Sequence, residues 1–138
     1  MFMEWVSVIE SYSDGSGKNP STRSAASFLI VKDQSIIHQE AFLLKDKTTN
    51  EAEYIALHSA IDYLCKEGYD RFTCYVDSEL VYKQLKGEYR INKPELIIWN
   101  GKIKTLLEGK FMTIQWVSRD NLYIKQADSL NRKMLRIP

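Results

Sequence analysis

Apolar and polar residues alternate early in the chain, most clearly from Trp5 to Tyr12, and predict a first strand over residues 3–13. Ser21 to Ser24 is turn-like, and the apolar run Ala25–Val31 predicts a second strand. Asp33-Gln34-Ser35 suits a hairpin loop, after which Ile36–Leu44 returns as a third strand. Short links make these three an antiparallel meander. From Glu53 the period changes: Ala56, Leu57, Ala60, Ile61 and Leu64 recur at helical spacing and mark one buried stripe. Thr48-Thr49-Asn50 supplies the cap of this helix, and Gly68 stops it after Lys66. Phe72–Val76 predicts a short strand ending in Asp77, and a second helix begins at Ser78 with Leu80, Val81 and Leu85. A polar, basic loop, Gly87 to Lys93, leads to Pro94. That proline opens a third helix with Leu96, Trp99, Ile103, Leu106 and Leu107 on one side, ended by Gly109. Phe111–Val117 is a fifth strand. Ile124–Leu135 is a last helix, with Ala127, Leu130 and Met134 inward.

The order β-β-β-α-β-α-α-β-α predicts an α/β fold. Its five-stranded mixed sheet has three antiparallel strands, then two parallel ones, with helices on both faces. No repeat, low-complexity tract or linker interrupts it, so residues 1–138 are expected to form one domain.

Composition changes this picture little. With 44% hydrophobic and 27% charged residues the chain is average for a globular protein. No run approaches the roughly 20 apolar residues that span a bilayer, and the first residues lack the layout of a secretory signal. Cys65 and Cys74 have no metal-type spacing and read as buried small hydrophobes in a reducing compartment, the cytoplasm. Charge is more informative. Net charge is +1, but residues 1–69 carry 6 Lys/Arg against 10 Asp/Glu, and residues 70–138 carry 13 against 8. The split permits a basic surface for a polyanion beside an acidic spot for a metal ion. A mixed, solvated surface would show the same totals.

Candidate chemistry lies in four carboxylates at element ends. Asp14 ends the first strand, beside Gly15 and Gly17; Glu53 starts the first helix; Asp77 ends the fourth strand; Asp128 lies in the first turns of the last helix. Parallel strands bring their carboxyl ends to one sheet edge, where ligands bind. Glu53 falls on the inward stripe with Ala56 and Leu57, where a carboxylate is unfavourable unless paired or bound to a cation. Each has an ordinary explanation taken alone: a turn at Asp14-Gly15, a capping box of Asn50 with Glu53, a helix N-cap at Asp77, a solvated helix residue at Asp128. Thr48 with Glu51 offers a competing box that leaves Glu53 spare. One cation site accounts for all four together. Magnesium suits it, as a hard ion that prefers carboxylate oxygens and shares its shell with phosphate. Two such ions about 3.5–4 Å apart can serve in-line phosphodiester cleavage. Zinc is disfavoured, since the two histidines, His38 and His58, lie far from these positions.

The segments Tyr12-Ser13-Asp14-Gly15-Ser16, Thr48 to Tyr54, Tyr75 to Val81, Gly87-Glu88-Tyr89 and Trp116-Val117 with Ala127-Asp128 resemble ribonuclease H type 1. The likeness is greatest to the archaeal-type and short bacterial variant that lacks a long basic protrusion. The resemblance implies a metal-dependent endoribonuclease that cuts the RNA strand of RNA·DNA hybrids, leaving 5′-phosphate and 3′-hydroxyl ends. It implies Asp14, Glu53, Asp77 and Asp128 as catalytic, metal-binding residues for two Mg2+ ions, with Mn2+ as a substitute. Gly15, Ser16 and Asn50 match positions that meet the RNA backbone and its 2′-hydroxyls, and Thr48 matches a phosphate contact on the DNA side. Ser78, Glu79 and Arg119 complete the implied substrate set. A monomer acting on the hybrid, without membrane contact, is the expectation.

Three departures stand out. Many members carry a histidine in the loop before the last carboxylate; Ser118 to Gln126 has none, leaving Arg119 or Lys125 to serve. Glu79 stands where a glutamine usually touches RNA. The basic handle is missing, and Lys83, Lys86, Arg90 and Lys93 stand in for part of it or form a plain solvated face. Two other readings follow: a catalytically weak module of the same fold that binds nucleic acid, and another nuclease of the same superfamily.

Overall fold

The computed structural model describes residues 6–17 and 23–136. The strands are β1 (Ile9–Ser16), β2 (Arg23–Lys32), β3 (Ser35–Lys45), β4 (Arg71–Val76) and β5 (Phe111–Trp116). The helices are α1 (Thr49–Lys66), α2 (Glu79–Leu85), α3 (Pro94–Leu106) and α4 (Leu122–Leu135). The element order is the expected one. The sheet runs β3-β2-β1-β4-β5. β1, β2 and β3 pair antiparallel, while β4 joins β1 and β5 joins β4 in parallel.

β2 explains the layering. Its residues from Ser24 to Val31 are all buried, because both of its faces are covered. Phe28 and Ile30 pack with Leu57, Ile61 and Leu64 of α1, and with Val81 of α2 and Ile103 of α3. Leu29 and Val31 pack the other way, with Tyr12 of β1 and Ile124 of α4. Each such side chain contributes about 2 kcal/mol by leaving water, so neither layer is dispensable. Helices therefore cover both faces, as the pattern implied. Among the described residues no helix is long and apolar enough to cross a membrane.

Several boundaries differ from expectation, for identifiable reasons. β1 begins at Ile9 and continues to Ser16, where the alternation predicted a strand over residues 3–13; residues 3–5 lie outside the described residues. Asp14, Gly15 and Ser16 stay in the ladder because they pair with Ser27, Ala26 and Ala25. Asp14 is thus within the strand, and Asp14-Gly15 is not a turn. α1 is capped by the Thr48–Glu51 box: Thr48 Oγ1 accepts from the Glu51 amide at 3.2 Å, and Glu51 Oε1 accepts from the Thr48 amide at 3.4 Å. Ser78 caps α2, its hydroxyl accepting from the Val81 amide at 3.2 Å, so Asp77 is not the cap. Asn121 Oδ1 accepts from the amides of Tyr123 and Ile124. That cap starts α4 at Leu122, before Ile124, and puts Asp128 in mid-helix instead of in its first turns. Cys74 is buried, but Cys65 is only half-buried; both thiols are free.

Candidate active site

The site grows from the register of the two central parallel strands. Ser13 of β1 lies opposite Val76 of β4, so Asp14 and Asp77 come next, the first still in β1 and the second just past the end of β4. Glu53 reaches the same place from α1, and the reason is Gly15. A Cβ at Gly15 would fall inside the backbone of Ala52 and Glu53. Only the missing side chain lets α1 lie so close to β1. Beyond the last β1–β4 pair, the Gly15 N–H donates to the Glu53 carboxylate. Gly17 repeats the device one step on, where a Cβ would strike Thr49. Gly15→Ala is accordingly expected to lower stability by about 3 kcal/mol, checked as a fall in the urea midpoint; an unchanged midpoint would contradict this packing.

Asp14, Glu53 and Asp77 each bring an oxygen to within 4.8 Å of the others. They lie in a cavity of about 370 Å³ that Asp128, Arg119 and Lys125 also line. Burial is the main cause of the electrostatics. It pushes the Asp14 carboxyl up to about 7, with Asp77 and Asp128 adding repulsion and the Asn131 amide opposing. Glu53 is pushed up by burial and then by Asp14 and Asp77. Asp77 is also raised by burial, against the pull of Arg119. Arg119 Nε stands 3.4 Å from Asp77 Oδ2. Glu53 Oε2 and Asp77 Oδ1 are buried without a hydrogen-bond partner. Converging acidic oxygens with buried, unpartnered lone pairs fit a hard divalent cation.

The fourth carboxylate takes a different position. Asp128 lines the cavity and acts on Asp14 and Asp77 through its charge, but its Oδ2 pairs with Arg132 Nε at 2.9 Å. It is not one of the three converging carboxylates. His38 stacks on Tyr63 with ring centroids 4.0 Å apart, and His58 meets Trp99 at 5.3 Å. Neither lines the cavity.

The remaining substrate candidates divide. Gly15, Ser16 and Arg119 line the cavity. Thr48 does not: its side chain is held in the capping box, and Thr49 lines the cavity in its place. Asn50 is half-buried in the first turn of α1 and outside the cavity lining. Ser78 is occupied as a cap. Glu79 is exposed and outside the cavity lining, and accepts a hydrogen bond from the Tyr89 hydroxyl at 2.7 Å. Lys83 pairs with Glu88 at 3.3 Å, and Lys86 lies over the Tyr82 ring at 5.6 Å. With Arg90 and Lys93, these lysines are outside the cavity lining.

One participant escaped the pattern. Asn131 is fully buried on α4, and its Nδ2 donates to Asp14 O at 3.0 Å and to Asp14 Oδ2 at 3.2 Å. The available signal was a polar residue one helical turn past Asp128, on the stripe of Ile124 and Ala127.

A family model described as reverse transcriptase-like matches residues 12–133. Ribonuclease HI of Halobacterium salinarum is 31% identical over 102 residues, which cover 73% of this chain and 51% of that relative. The RNase H1 crystal structure from the same archaeon aligns with a TM-score of 0.86 at 29% identity, covering 92% of this chain and 96% of that one. The chain belongs to the ribonuclease H type 1 family. Its match spans about half the length of the curated Halobacterium relative. A further ribonuclease H1 structure, LC11-RNase H1 in complex with an RNA/DNA hybrid, shares the fold. It aligns with a TM-score of 0.82 at 23% identity over 91% of this chain and 94% of that one. The ribonuclease H fold thus accounts for the sheet order, and for the sheet edge at which Asp14, Glu53 and Asp77 meet.

Proposed function

We propose that this chain is a magnesium-dependent endoribonuclease that hydrolyses the RNA strand of RNA·DNA hybrids, with residues 1–138 as its working domain. The observation that carries the reading is the convergence of Asp14, Glu53 and Asp77 within 4.8 Å at the end of the parallel strands. Family membership supports the choice of substrate. Asp14, Glu53 and Asp77 would hold one ion, and Asp14 with Asp128 a second; Mn2+ would serve in place of Mg2+. When bound, these ions activate a water and neutralise charge on the leaving 3′-oxygen, so that the products carry 5′-phosphate and 3′-hydroxyl ends.

The chain's own residues do the rest. Gly15 and Ser16 line the cavity, and half-buried Ser16, at the end of β1, is the one of the two placed to meet the RNA backbone. Arg119 and Lys125 ring the cavity with positive charge that favours a phosphate over the carboxylates. Glu79 lies outside the cavity lining, its carboxylate accepting a hydrogen bond from Tyr89, so it stands apart from the cation site. The two free thiols support a reducing compartment, and we place the protein in the cytoplasm.

Labelled RNA·DNA hybrid, duplex DNA and duplex RNA incubated with magnesium, with and without EDTA, test the proposal. Shortening of the RNA strand in the hybrid, abolished by EDTA, is the expected result. A mobility shift without shortening would make the chain a binding module. Cleavage of duplex DNA would place it with other nucleases of the superfamily.

A further inference from the structure

The three acidic residues with strong partners in and around the cavity are held in different ways. Asp77 faces the guanidinium of Arg119 at 3.4 Å, and Asp128 that of Arg132 at 2.9 Å. Asp14, the most central, has a neutral partner, Asn131. The Asn131 amide nitrogen donates to both the main-chain oxygen and the carboxylate of this one residue, at 3.0 and 3.2 Å. Few side-chain rotamers of Asp14 satisfy both bonds at once.

Stability does not explain an asparagine here. Its stripe on α4 is otherwise apolar, with Ile124 and Ala127 buried, and its own Oδ1 is buried without a partner. A half-satisfied buried amide is worse for folding than an apolar side chain of similar size. Its effect on Asp14 is specific, however. The other groups acting on that carboxylate are themselves acidic: Asp77 and Asp128 repel it, and Glu53, which shares a hydrogen bond with it, is a carboxylate of the same cluster. A lysine or arginine at residue 131 would hold Asp14 but compete with a cation for it. A neutral amide orients the carboxylate and leaves its charge available.

We infer that Asn131 is a positioning residue, which fixes the Asp14 carboxylate in the orientation that a divalent cation requires. The inference rests on the metal-dependent reading above. Asn131→Ala and the near-isosteric Asn131→Leu, in the full chain, test it. The magnesium Kd of the substrate-free protein, followed by NMR shifts during titration with magnesium chloride, is expected to weaken by about ten-fold. The KM for hybrid should stay at the wild-type value, and kcat should recover as magnesium is raised. A purely structural role would lower Tm and leave the Kd of the folded protein unchanged. A folded variant with the wild-type magnesium Kd therefore overturns the inference.

Should neither variant fold, the wild-type side chain is read directly. The Asn131 amide protons are expected to exchange slowly and to shift as magnesium is added. Resonances that stay unmoved through the titration overturn the inference. A wild-type chain that takes up no divalent cation overturns both this and the proposed function. Wild-type cleavage with unchanged affinity in both variants overturns only the role of Asn131.

Discussion

Asp14→Asn is expected to stop hydrolysis while making the metal-free protein harder to unfold at pH 8. The two effects have one origin. Asp14 is buried at 6% exposure, beside two other acids, and its carboxyl is pushed up to about 7. Keeping it ionised at pH 8 opposes folding, and the isosteric amide removes that charge without removing an acceptor for Asn131. On the proposed function hydrolysis needs the charge, because a cation held there would stabilise the transition state by several kcal/mol; its loss would correspond to about a 10³-fold fall in rate or more. Melting without metal at pH 8 should rise by roughly 5 °C. At pH 4 the folded wild type is neutral at this residue, and most of the difference should be gone. Asp77→Asn should also stop cleavage, with a smaller gain in stability, since Arg119 already offsets part of its charge. A fully active Asp14→Asn protein, or one less stable than wild type at pH 8, would remove the acidic site as the source of both properties.

The second large effect is the response of stability to pH, and its reversal by metal. In the unfolded chain Asp14 titrates near 3.8, and in the folded protein near 7. Between those values the folded state binds more protons than the unfolded one. Raising pH through this window therefore favours unfolding, and the whole loss is present above about 7. Glu53 and Asp77 are shifted in the same direction and add to it. The combined loss is of the order of a few kcal/mol. This is opposite in sign to a carboxylate stabilised by a salt bridge, which loses stability as pH falls. On the proposed function magnesium would take the place of the protons, so its stabilisation should be large at pH 8 and small at pH 5. Melting curves at both pH values, with EDTA and with excess magnesium, measure it directly. Equal metal-induced shifts at the two pH values would show that the cation does not bind these carboxylates.

How much of the site was legible differs residue by residue. Glu53 stood out because helical spacing placed a carboxylate on the same stripe as Ala56 and Leu57, and burial of all three confirms that face. The choice between two capping boxes was open, since Thr48–Glu51 and Asn50–Glu53 have the same spacing; the structure selects the first. Thr48 fitted a substrate contact by resemblance, yet its hydroxyl is committed to the helix, and the exposed neighbour Thr49 faces the cavity. Asn131 was missed because an asparagine on an amphipathic helix ordinarily sits on the polar side. Its partner Asp14 lies 117 positions away.

The amino-acid sequence by itself determined the order and kind of the nine elements among the described residues, the antiparallel start and parallel finish of the sheet, and the four candidate acids. These follow from periodicity and chain breakers, which act over a few residues. Only the tertiary structure decided which acids converge, which are answered by arginine, and which lean on a neutral amide. Desolvation and repulsion depend on distances through space between distant parts of the chain, and here those distances hinge on a glycine that lets α1 lie against β1.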